Sequence, residues 1–238
     1  MEQKEKELRE TTERLIENIV GRFSGYAKRD STLQSALRIA NRQINETPLV
    51  SAFLYLNCLD QIGDLFGNKT IINKNGEYNE DRTNPIKQAL KMFLPPKIEY
   101  ENLNIDALVN LRHSLAHNLS MVNVKGNKKY KFILTVDNNE PMVVINPTNK
   151  NGWDGHYYGN VNDVYTSKFN DYDCHTINVA ALHHLVEDVL KEIMNQKSTI
   201  LFAIQDVKDE LEDDRFIRYE NRLKEITYRF FVYFDVKR

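Results

Sequence analysis

Apolar residues at Leu8, Leu15, Ile16, Ile19, Val20 and Phe23 recur at helical spacing with charge between them, which predicts a helix over about 4–24. A stop at Gly25 and a cap signal at Ser31 precede a second, shorter helix around Leu33, Leu37, Ile39 and Ile44. Pro48 then opens a densely apolar stretch from Leu49 to Phe66, ended by Gly67. That density predicts a central helix contacted on several sides. Residues 68–82 are polar with an Asn-Gly pair and predict a loop with at most a weak hairpin. Asn84-Pro85 opens, and Pro95-Pro96 closes, a short helix over 85–94.

The next helix is predicted from Asn104 to about Met121, with Asp106 in its first turn. The period changes over 130–146, where two β-rich runs flank Asp-Asn-Asn-Glu and predict a hairpin. A tract rich in Asn, Gly and aromatics, 146–165, reads as loop, and Ile177 to about Met194 as a helix. The remainder is expected to be helical, with the aromatic run at 230–234 open to a strand reading. Its stretch 208–225 mixes both signs and reads as a solvated helix face. The fold expected is mainly α, an up-and-down helical bundle with a β-hairpin insertion near 130–146. Its division is an N-terminal helical extension (1–48), the bundle (49–196) and a C-terminal helical extension (197–238). With no internal repeat and no clear linker, these read as one elaborated domain.

Composition narrows the classes. Of 238 residues, 41% are hydrophobic, enough for a buried core, and no apolar run approaches the ~18 residues of a membrane span. The charged start, MEQKEKELRE, is unlike a secretory signal, so a cytoplasmic protein without membrane association is expected. Two cysteines exclude a multi-bridge scaffold. The 32 basic and 34 acidic side chains give a net charge of −2, which argues against broad electrostatic capture of nucleic acid and leaves only local binding.

Candidate chemistry concentrates in Asp106–Leu119. On a helical wheel Leu108, Leu111, Leu115 and Leu119 form one stripe, while His113 and His117, one turn apart, point away from it with Asn110. Arg112 sits nearer the stripe's edge, from which its side chain can reach outward. Three readings are open: surface histidines, a metal pair, or acid–base chemistry with an oxyanion-stabilising guanidinium. The other histidines, His156, His175, His183 and His184, show no metal-site spacing relative to the pair, and no metal or cofactor is expected. A structural alternative for Arg112 is an ion pair with Asp60 or Asp64, carboxylates equally suited to orienting it.

The run Arg112-His113-Ser114-Leu115-Ala116-His117, an Arg and a polar residue followed by a His, resembles the signature of the HEPN superfamily. Asn118 and Leu119 extend that similarity, which reaches from about Leu49 to Gln196. The resemblance implies a bundle of four or five helices that forms a homodimer with two motif helices facing each other. It also implies a metal-independent endoribonuclease of toxin or phage-defence type, with an antitoxin or defence-system protein as partner. In such an enzyme a ribose 2′-hydroxyl attacks the adjacent phosphorus and leaves a 2′,3′-cyclic phosphate. His117 would move the proton, Arg112 would stabilise the phosphoryl charge, and His113 would orient either group or serve the complementary transfer. Other members have lost activity and bind RNA or a partner protein, and a helical interaction protein is a further reading.

After the motif comes Lys125-Gly-Asn-Lys128-Lys129-Tyr130-Lys131, four lysines without an acid. These lysines, with Asn118, are the expected RNA contacts, and Tyr130 or Trp153 would stack on an unpaired base. A solvated loop or a guarded edge strand is the plainer alternative.

Overall fold

A computed structural model of the chain describes residues 2–21, 31–67, 84–125, 127–137, 139–145, 172–204 and 212–231. Among these the fold is mainly helical with a small four-stranded sheet. The chain divides into two compact units, each discontinuous in sequence. The first comprises 1–38, 58–95 and 187–238, and the second 39–57 and 96–186, so the expected segments 1–48 and 49–196 each fall partly in both, while 197–238 lies within the first.

The first unit contains helix α1 (Glu2–Val20), the start of α2 (Thr32–Gln43), the end of α3 (Pro48–Phe66) and α4 (Pro85–Phe93). Ser31 caps α2 in a reciprocal box: its Oγ accepts from the Gln34 N–H at 3.1 Å, and the Gln34 side chain accepts from the Ser31 N–H at 3.2 Å. For α4, Asn84 Oδ1 accepts from the Ile86 N–H at 2.9 Å, and Pro85 occupies the first turn, where an N–H has no helical partner. Gly63 of α3 permits close approach to that start, because a Cβ there would lie 1.8 Å from the Pro85 carbonyl oxygen. Phe66 stacks on Phe202 and meets Phe93 edge-on, both with ring centroids at 5.3 Å.

The first unit ends in α7 (Glu212–Phe231), whose polar residues are not simply solvated as its mixed charges suggested. Arg222 is 5% exposed and donates to the Asp64 carbonyl at 3.2 Å, while Arg229 holds the Asp64 carboxylate at 2.5 Å and also reaches Gln61. Tyr219, also buried, lies 2.9 Å from Thr12 Oγ. Since the Thr12 hydroxyl already donates to the Leu8 carbonyl, the Tyr219 hydroxyl donates to Thr12 and accepts from the Phe202 N–H. The aromatic run is helical as far as Phe231, and its remainder lies outside the described residues. So do the 68–82 loop, Trp153 and His156.

The second unit contains the end of α2, the start of α3, helix α5 (Ile105–Asn118), the sheet and the start of α6 (Val179–Gln196). Its strands are β1 (Val122–Lys125), β2 (Lys128–Thr135), β3 (Val143–Ile145) and β4 (Asp173–Asn178), in the order β1-β2-β4-β3. This corrects the expected hairpin at 130–146. β2 and β3 do not pair, because β4 lies between them, parallel to β2 and antiparallel to β3. The antiparallel partner of β2 is β1, joined through residues 126 and 127. The Ile177 start expected for the last helix of this unit is also corrected: Ile177 and Asn178 finish β4, and α6 begins at Val179.

Strand β4 is buried from Cys174 to Asn178, as a central strand covered on both faces must be. Asn178 satisfies the junction that follows. Its Nδ2 donates to the carbonyls of Asp137 and Glu140, and its Oδ1 accepts from the Ala180 N–H at 3.1 Å, capping α6.

Candidate functional site

Helix α5 carries the motif, and local chemistry fixes both of its ends. Asn104 Oδ1 accepts from the Ala107 N–H at 3.1 Å, closing the first turn, where Asp106 also favours the helix dipole. Leu108, Leu111 and Leu115 are fully buried, as the stripe predicts. Leu119 is not part of it. It stands at 76% exposure with φ 46°, the single non-glycine residue of positive φ among the described residues, and ends the helix in the left-handed region. Met121, two positions on, is buried.

Ser114, in the middle of the motif, is fully buried, and its hydroxyl bridges the carbonyls of Ser120 at 2.7 Å and Val122 at 2.6 Å. Asn123 Nδ2 donates to the Asn110 carbonyl at 3.1 Å. These bonds tie the last two turns of α5 to strand β1. Nothing in the leucine pattern announced them, although a serine beside the leucine stripe of a helix is the residue type that bonds to nearby backbone. Asn110, placed with the histidines by the wheel, is buried.

His113 and His117 are both exposed, with ring centroids 4.5 Å apart and planes tilted by 55°. Arg112 is half-buried. It lies five positions from His117, about 140° around the helix, so one chain alone does not set the two on the same face. The structure thus brings the two imidazoles together, while helical geometry starts the Arg112 side chain on a different face from His117. Of the carboxylates considered for Arg112, Asp64 is engaged by Arg222 and Arg229 within the first unit.

The lysines form strand rather than loop. Lys125 and Lys128 are register partners at the end of the β1–β2 ribbon, and Lys131 is the partner of Val122. Like charges directly opposite each other weaken a two-stranded ribbon. Lys129 and Lys131 are half-buried, and Lys129 Nζ lies 5.5 Å above the Tyr172 ring. The side chains of Asn118, Lys125 and Lys128 lie outside what the structure describes. Tyr130 is half-buried between Phe132 and His175, with centroids at 6.4 and 5.6 Å.

The remaining histidines of the described chain have structural surroundings. His175 is buried in β4, and burial lowers its pKa below the ordinary 6.5, opposed by the Asp173 carbonyl at 3.3 Å and the charge of that residue. His183 stacks on Tyr55 at 5.5 Å, and His184 stacks on His183. Among the described residues no three His, Cys, Asp or Glu side chains converge in a way that would hold a metal ion. Cys58 is buried, which pushes its thiol up to about 12 and keeps it protonated at neutral pH.

The molecule is thus a mainly helical protein with an exposed histidine pair on a helix fastened to a lysine-bearing ribbon. No family model, curated protein or solved structure matches the chain. No helix among the described residues is long and apolar enough to cross a membrane.

Proposed function

We propose that the protein is a HEPN-like, metal-independent endoribonuclease that cuts single-stranded RNA through 2′-hydroxyl attack, working as a homodimer in a toxin or phage-defence setting. The observation that carries this reading is the exposed His113–His117 pair on a helix whose C-terminal turns are bonded to the lysine ribbon. Imidazole exchanges protons near neutral pH, and a positioned one typically contributes about 10² to 10⁴ in rate. Strand β2 carries Lys129 and Lys131, cations of the kind that attract a phosphate backbone. The strained backbone at Leu119, two residues after His117, is of the kind that accumulates at functional sites.

In this reading His117 moves the proton and His113 orients the 2′-hydroxyl or serves the leaving oxygen. Arg112 stabilises charge on phosphorus in a cleft completed by a second copy. Lys129, Lys131, Lys125, Lys128 and Asn118 guide the strand. The half-burial of Arg112, five positions from His117 on the helix, also favours a second reading, a catalytically silent module that binds RNA or a partner protein. Cleavage of a single-stranded RNA in EDTA separates the two. The nuclease reading expects cutting by the wild type and a loss of about 10²-fold or more in Arg112→Ala and His117→Ala, with the dimer retained. RNA retention without cleavage by the wild type supports the module, and undiminished cutting by both variants refutes the site.

A further inference from the structure

The first unit contains a cavity of about 470 Å³, in the range of small-molecule sites, that the RNA chemistry proposed above does not use. Its walls come from α1, the end of α3, residues 201–204 and the start of α7. Phe66 and Phe202, stacked on each other, supply one aromatic wall, and Phe216 and Leu8 supply further apolar surface. Phe202 is buried, whereas Phe216 is half-buried and has Lys4 Nζ 5.7 Å above its ring.

The polar groups of the lining differ in what already holds them. The Tyr219 hydroxyl is occupied by Thr12 and the Phe202 N–H. Arg9 donates through both Nε and Nη2 to one carboxylate oxygen of Glu5, at 3.2 and 3.1 Å, so that pair is neutral as a unit. Arg215 is exposed and forms no ion pair among the described residues, which leaves the lining with one uncompensated positive charge. A half-open recess that combines an aromatic wall with polar surface and one uncompensated cation is complementary to a flat aromatic body bearing one anionic group.

We infer that this cavity is a binding site for a small aromatic monoanion, a carboxylate or sulfonate, whose ring lies against Phe216 and Phe202 and whose charge meets Arg215. The site is independent of the RNA reading, since none of its residues belongs to the motif helix or the ribbon.

The test is titration of the full chain with 8-anilinonaphthalene-1-sulfonate, followed by fluorescence and by calorimetry for stoichiometry. The expected result is one saturable site per chain, weakened about tenfold in Arg215→Ala, with N-phenyl-1-naphthylamine, the same body without the sulfonate, binding about tenfold more weakly. Phe216→Ala should also weaken binding, and an unchanged circular dichroism melt of Arg215→Ala establishes that the loss is local. Absence of a saturable site, equal binding of the uncharged analogue, or indifference to Arg215→Ala would each overturn the inference.

Discussion

The two units differ in the polar contacts that stand out in each. In the first, charges meet opposite charges: Asp64 lies between Arg222 and Arg229, and Lys197 reaches both Glu13 and Glu17, contacts that raise the Lys197 pKa. In the second, Lys97 pairs with Glu99, but imidazole lies against imidazole at His113 and His117, and Lys125 and Lys128 are register partners at the end of the β1–β2 ribbon. The packing of the first unit explains why its polar residues are there. The exposed imidazole pair on α5 is an arrangement to which acid–base chemistry gives a use, and that contrast is the physical basis for looking there for function.

Substitutions sharpen the contrast, beginning with the largest effect. Gly63→Ala places a methyl group against the Pro85 carbonyl and should cost about 3 kcal/mol in urea unfolding, with backbone movement at the start of α4. A cost below ~0.5 kcal/mol would mean that the contact is not tight. Ser114→Ala removes the donor shared by two carbonyls and should cost about 1–2 kcal/mol. Because that bond positions the end of α5, the variant should also lower RNA cleavage while leaving RNA affinity within about twofold, a split readable from kcat and KM.

His175 provides a pH test. Its folded pKa is below 6.5, so on acidification the unfolded chain takes up the proton first. Its contribution to stability is therefore complete above about 6.5 and declines as pH falls from there through the folded value. Unfolding midpoints at pH 7.5 and 5.5 should differ less in His175→Phe than in the wild type. The smallest effect is expected from Lys128→Glu, which turns a like-charged register pair into an opposite one. It should stabilise the fold by about 0.2–1 kcal/mol and weaken RNA binding. Stabilisation without weaker binding would remove the ribbon from the proposed RNA-binding surface.

The sequence was most informative where local chemistry decides structure. The Ser31 and Gln34 box, the Asn84-Pro85 start and the Asn104 cap are short-range signals, and the helices they open start where the spacing predicts. The sheet was less legible. β2 and β3 are both β-rich and close in sequence, so they read as a hairpin. The strand that separates them, Asp173–Asn178, shows no apolar alternation because it is buried on both faces and carries His175, Thr176 and Asn178 inside. Asn178 immediately before an apolar helical run was a readable cap signal that would have moved the start of α6. At the site, periodicity located the exposed His113 and His117 and the buried Leu108, Leu111 and Leu115. It placed Leu119 in the core because helical spacing takes no account of where the helix ends. The role of Ser114 depends on strand β1 folding back onto α5, a tertiary contact without a local signature.

The chemistry of the cut ends tests the central claim most directly. A single-stranded RNA incubated with the protein in EDTA should yield fragments ending in 2′,3′-cyclic phosphate, with 5′-hydroxyl partners, and none when the nucleotide 5′ of the cut is 2′-deoxy. Fragments ending in 3′-hydroxyl, or cutting of the 2′-deoxy substrate at the same site, would contradict the assignment of His113 and His117 to proton transfer at a ribose hydroxyl.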